Sequence, residues 1–208
     1  MKKDQEPIAA LHDIRKMMTE SSKFLSLSGL AGVIAGVYAL VGAYYVHHLI
    51  NEPAALSSGS EVPFTESLQF KIILIALSVL FLSVTTATIL SIQKARKLNQ
   101  RLFDHTSKKV FWNMCIPLGA GGIFCIALIN HHLSILLSAA MLLFYGLALF
   151  NSSKFTMPEI RVLGLLQIIL GLIACFLPGY GLILWSLGFG VLHIIYGAIL
   201  WNKYDRTA

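Results

Sequence analysis

Apolar residues fall along this chain in six long runs, at 24–50, 70–93, 110–129, 133–150, 162–177 and 182–201, and polar positions gather between them. Crossing the hydrocarbon core of a bilayer takes about 20 apolar residues at 1.5 Å of rise per residue, so each run is predicted as a transmembrane helix, the fifth being marginal in length. Asn130-His131-His132 and Pro178-Gly179-Tyr180-Gly181 are turns of a few residues, and short turns join antiparallel neighbours. The pattern therefore predicts an all-α polytopic membrane protein, a bundle of six transmembrane helices arranged as three successive hairpins.

The first run, beginning at Phe24, exceeds the apolar stretch of a signal peptide and is expected to stay as a helix. Ahead of it, Ile8, Leu11, Ile14 and Met18 recur at helical spacing behind Pro7, with Asp13, Arg15, Lys16 and Glu20 between them. Residues 1–23 are read as a short amphipathic cytoplasmic helix, lying on the membrane or against the basic second connection. Residues 24–202 then form the transmembrane domain and 203–208 a cytoplasmic tail.

Charge adds orientation. Of the 16 Lys and Arg, all but Lys71 precede the first run, lie in the 94–109 and 154–161 connections, or follow the last run. The first outer connection carries Glu52, Glu61 and Glu66 instead. By the positive-inside bias, both termini and the 94–109 connection face the cytoplasm, and a bacterial inner membrane is the expected location. The net charge of +6 and pI of about 9.3 are explained in this way, and with no recognition motif beside them no nucleic-acid partner is expected. With 56% hydrophobic and 12% charged residues and a mean hydropathy of +0.73, the composition excludes a soluble domain, so the bilayer is the chain's first partner.

Catalytic signatures are missing. No HExxH, GxSxG, phosphate-cradling glycine loop or intramembrane carboxylate pair is present, and Cys115, Cys125 and Cys175 show no CxxC spacing. The expectation is a non-enzymatic protein of structural, regulatory or envelope-stress-related kind, without catalytic residues. Because no Asp, Glu, Lys or Arg sits in the middle of a run, a proton- or ion-coupled transporter is disfavoured, leaving His193 as the one group there able to relay a proton.

Polar residues inside the runs define the candidate sites. His193, Ser186, Gln167, Asn113 and Thr85, with Ser78, Thr88, Ser134, Ser138 and Tyr145, form stripes that either join helices by hydrogen bonds or line a path for a small solute in a transporter or channel. Ser186, Gly190, His193 and Gly197 are read as one face of the sixth helix, with a neutral His193 hydrogen-bonded to a neighbouring span. Gly29, Gly32 and Gly36, continued by Ala39 and Ala43, make a small-residue stripe in the first run for packing within the chain. A homodimer or protein partner through that stripe or the cytoplasmic face is the alternative.

At the outer boundary, His47, His48, His131 and His132, assisted by Glu52, could ligate a metal ion or hold a haem. Adjacent helical residues point about 100° apart, so one imidazole of each pair at most should face a common ion. No cofactor is expected, and interfacial solvation accounts for these residues.

Two longer-range patterns remain. Phe144 to Asn151 matches Ile195 to Asn202 at an offset of 51, including Tyr145-Gly146 and Tyr196-Gly197. At Leu163-Gly164-Leu165-Leu166-Gln167-Ile168-Ile169-Leu170-Gly171, followed by Pro178, Gly188 and Gly197, the last hairpin resembles the repeated hairpin of HdeD-type acid-resistance membrane proteins. The resemblance covers some forty residues; it implies a small six-helix membrane protein linked to envelope stress, with no catalytic residues to carry over. The long acidic loop of the first hairpin departs from that family's short turns.

Overall fold

The computed structural model describes residues 28–51, 66–97 and 105–206, so the amphipathic segment at 1–23 lies outside the described residues, as does Glu52. The described part is all-helical, with six helices long and apolar enough to cross a membrane. They are α1 (Gly29–Ile50), α2 (Glu66–Lys97), α3 (His105–Asn130), α4 (Ser134–Phe155, closed at both ends by a 3-10 turn), α5 (Pro158–Phe176) and α6 (Pro178–Asp205).

The helices outrun the apolar segments where polar residues can still be solvated. At 32 residues α2 is about 48 Å long, against a hydrocarbon core of about 30 Å, so it carries Lys94, Arg96 and Lys97 beyond the core. α5 starts four residues ahead of its apolar run because Met157 is extended, Pro158 has the right φ for a first helical position, and Glu159 meets the positive end of the helix dipole.

Contacts follow glycine rather than the order of hairpins. α1 packs on α2, and α3 on α4, as the order of hairpins predicts. The last pair differs: α5 is packed mainly on α4, and α6 mainly on α1. What decides this is close backbone approach. A Cβ on Gly164 would meet Phe150 N at 2.8 Å and Gly146 O at 2.9 Å; one on Gly171 would meet Leu143 N at 2.8 Å and Ala139 O at 3.1 Å. On α1, a Cβ on Gly29 would strike Trp201 N and meet Gly197 O at 2.6 Å; one on Gly36 would meet Gly190 O at 2.6 Å and Ile194 N at 3.0 Å. Dispersion and close packing drive helix association in lipid, where no hydrophobic term separates helix from solvent, so these backbone crossings set the partners.

Each α6 atom in these contacts belongs to a residue 51 positions after its counterpart on α4: Phe150 and Trp201, Gly146 and Gly197, Leu143 and Ile194, Ala139 and Gly190. The Tyr-Gly repeat in the sequence thus marks one helix crossing built twice, α4 on α5 and α6 on α1. Gly29, Gly32 and Gly36 of the small-residue stripe lie against α6 of the same chain, and Ala39 and Ala43 are buried.

Apolar side chains fill the spaces around the crossings. Leu149, Met157, Ile160, Leu163 and Leu200 form one buried cluster, and Ala139, Leu142 and Ala174 a second. α2 and α3 lie at the periphery and present Phe70, Leu77, Phe81, Phe111, Ile116 and Ile123 outward, an apolar surface of the kind that marks a membrane or protein contact.

Candidate functional site

Tyr145, Gln167 and His193 meet where α4, α5 and α6 come together. α6 is not a regular helix there, because Ser186–Leu192 is wound as a π-helix between the α-helical stretches Gly181–Trp185 and His193–Leu200. Such turns disturb the hydrogen-bond ladder and mark functional positions in many helices. Here the Gly188 carbonyl takes two side-chain donors, Gln167 Nε2 at 2.9 Å and His193 Nδ1 at 2.9 Å.

A carbonyl can only accept, which fixes the rest of the network. Nδ1 of His193 must carry a hydrogen, so Nε2 of the neutral ring is free to accept from the Tyr145 hydroxyl at 2.8 Å. The Gln167 amide must point its nitrogen at Gly188, leaving Oε1 buried without a conventional donor. A Cβ built on Gly188 would lie 2.5 Å from that oxygen, so a larger residue there would push the Gln167 amide out of its present position.

Aromatic rings enclose the network. Phe189 stacks on the His193 ring at 5.9 Å between centroids and 13° between planes, and Tyr145 and Trp185 lie 5.0 and 5.1 Å from Phe189. Gln167 is completely buried and His193 is 8% exposed.

The remaining polar positions do not converge on this point. Ser186 donates to Leu182 O of its own helix. Gly190 and Gly197 lie against Leu40, Val33 and Gly29 of α1, while the long His193 side chain reaches Tyr145 of α4. Asn113 donates to Lys109 O and accepts at its own carbonyl from Asn151, joining α3 to α4. Gln69 reaches from α2 to Ser134 at 2.9 Å. Ser78 and Thr88 bond back to their own helix, and Thr85 is exposed.

Nor do the outer histidines assemble. His47 contacts Asn51, His131 and His132 are exposed in the turn after α3, and among the described residues no three His, Cys, Asp or Glu group closely enough to hold a metal ion. The three cysteines are free thiols.

A second polar junction sits at the basic end. Asp205, at the end of a further π-helical turn (Trp201–Asp205), accepts from Gly29 N at 2.9 Å and Ser28 Oγ at 3.2 Å, and pairs with Lys94 at 2.6 Å. It caps the α1 N-terminus, where Ser28 makes no cap bond of its own, and joins the ends of α1, α2 and α6. Nearby, Glu159 accepts from Lys203 at 2.6 Å and from Tyr204, tying α6 to the start of α5. Neither junction was expected from the sequence; the one signal there is that Asp205 and Glu159 are isolated acids among basic residues at helix ends.

Comparison with known protein families, with curated proteins and with solved structures finds no match to the chain. The likeness of the last hairpin to HdeD-type proteins stands on its glycine and proline spacing alone.

The network predicts a measurable coupling. In a double-mutant cycle of Tyr145→Phe and His193→Gln, the interaction energy should be about 1 kcal/mol, between the membrane average of about 0.6 and the highest values near 1.7. Reversible unfolding of the four proteins in mixed micelles reads it out, and a value indistinguishable from zero would contradict the geometry of the pair.

Proposed function

We propose that this chain is a non-enzymatic integral membrane protein of structural or regulatory kind, set in a bacterial inner membrane with its basic end and both termini in the cytoplasm. The observation that carries this reading is the use of the buried polar groups. Tyr145, Gln167 and His193 are hydrogen-bonded to one another's helices around the Gly188 carbonyl and walled by Phe189 and Trp185. A solute path needs polar groups left open toward water, whereas here they hold α4, α5 and α6 together.

A small-solute transporter is the second reading, and the π turn with the orphaned Gln167 Oε1 favours it, since both are features of sites that change shape. Hydrogen exchange followed by mass spectrometry on the protein in lipid nanodiscs separates the two. If the polar groups serve as ties, amides from 186 to 193 stay protected for hours. Exchange there within seconds would show water reaching the junction and would replace this reading by the second.

A further inference from the structure

We infer that the basic end of the bundle carries two equivalent binding sites for the phosphate of an anionic phospholipid, Arg161 with Phe150 and Arg206 with Trp201. The inference rests on the membrane reading above and adds a ligand to it. Its first support is a charge imbalance. At this end Glu159 and Asp205 are already paired with Lys203 and Lys94. Arg96, Lys97, Lys108, Lys109, Lys154, Arg161 and Arg206 have no acidic side-chain partner among the described residues. Basic residues at a membrane surface attract anionic lipids, by about 1 kcal/mol each.

The second support is geometric and comes from the doubled crossing. The Arg161 guanidinium lies 5.2 Å from the centroid of the Phe150 ring, and that of Arg206 lies 5.9 Å from Trp201. Phe150 and Trp201 are the matching residues of the two crossings, 51 positions apart, and each lies where a glycine of the partner helix touches the backbone. Arg161 comes from the partner helix α5 and Arg206 from α6 itself, so the same platform is reached from two places in the sequence. A ring at the hydrocarbon boundary holds the stem and one face of the guanidinium; Arg206 also donates one N–H to Asn202 Oδ1 at 3.3 Å, and the remaining exposed N–H groups of the two guanidiniums are left for a headgroup. The guanidinium fork matches two phosphate oxygens, and the adjoining apolar helix surface suits the acyl chains.

The test uses the full chain reconstituted in vesicles of equal parts phosphatidylglycerol and phosphatidylcholine, then extracted in mild detergent, with co-purifying lipid measured by mass spectrometry. The wild type is expected to retain phosphatidylglycerol preferentially. The R161Q/R206Q variant should lose that preference by about fivefold or more, from the contribution of one basic residue per site. R96Q/K97Q, which removes the same charge away from the platforms, should keep most of it. Equal losses in both variants, or no preference in the wild type, would overturn the inference while leaving the membrane reading intact. A chain that fails to enter the vesicles, remaining extractable by alkaline carbonate, would overturn both. Size-exclusion profiles check that the variants fold, and R161K/R206K, which keeps charge but not the fork, should fall between the two.

Discussion

Gly197→Ala is expected to abolish or cripple the folded bundle, at a cost of about 3 kcal/mol or more, the upper end for overpacking at a site that cannot relax. The added methyl carbon would lie 2.5 Å from Val33 N and 2.7 Å from Gly29 O, both backbone atoms of α1, so no side-chain rotation can relieve it. Gly146→Ala meets the same obstacle on α5, with Gly164 O and Ile168 N each at 2.8 Å, and should behave alike. Gly119 and Gly122 of α3 supply the control, because a Cβ there meets nothing within 4 Å. Alanine at either should be neutral, or stabilising by up to about 1 kcal/mol through helix propensity. Unfolding in mixed micelles, with size-exclusion monodispersity, distinguishes these outcomes; equal tolerance at Gly197 and Gly119 would show that α1 and α6 do not cross as described.

The second large effect should come from Asp205→Ala. Its carboxylate satisfies the α1 N-terminus and faces Lys94, with both side chains only 11% exposed, so removing it uncaps a helix and deletes a largely buried ion-pair contact. Losing a cap costs about 1 kcal/mol, and losing a hydrogen-bonded ion pair at low exposure adds a similar amount, so a total of about 2 kcal/mol is expected at low salt. Asp205→Asn keeps an acceptor for Gly29 N and should recover about the cap's share, which the same unfolding measurement reads. If alanine and asparagine are equally harmless, Asp205 does not join α1, α2 and α6.

The spans were legible because hydropathy needs no knowledge of partners. Each apolar run corresponds to a helix, and the disagreements at their ends come from polar residues such as Glu159 and Lys97 that continue the backbone outside the core. Partner choice was less legible. Gly164 and Gly171 show that α5 has a face for close approach, but not that Gly146 and Ala139 of α4 meet it in preference to α6. Tyr145-Gly146 and Tyr196-Gly197 did carry the information, since the doubled motif lies on the doubled crossing.

At the candidate site, His193, Gln167 and Tyr145 could be singled out as polar residues in apolar runs, while their meeting point could not. It depends on the π turn at Ser186–Leu192, and the only local hint is Gly188-Phe189-Gly190, two glycines that loosen the helix beside a ring that stacks on His193. Asp205 was hidden for another reason. A cap supplied from the opposite end of the chain leaves no short-range pattern to find.

The central claim, a six-span membrane protein with its basic end in the cytoplasm, is tested most directly by labelling a single cysteine at position 100, between α2 and α3, in a variant with Cys115, Cys125 and Cys175 replaced by serine. A membrane-impermeant maleimide applied to intact cells should leave Gln100→Cys unlabelled until the membrane is opened, while a cysteine in the turn at His131 is labelled from outside. External labelling at position 100 with protection at 131 would invert the topology. Full labelling of both without opening the membrane would contradict the account altogether.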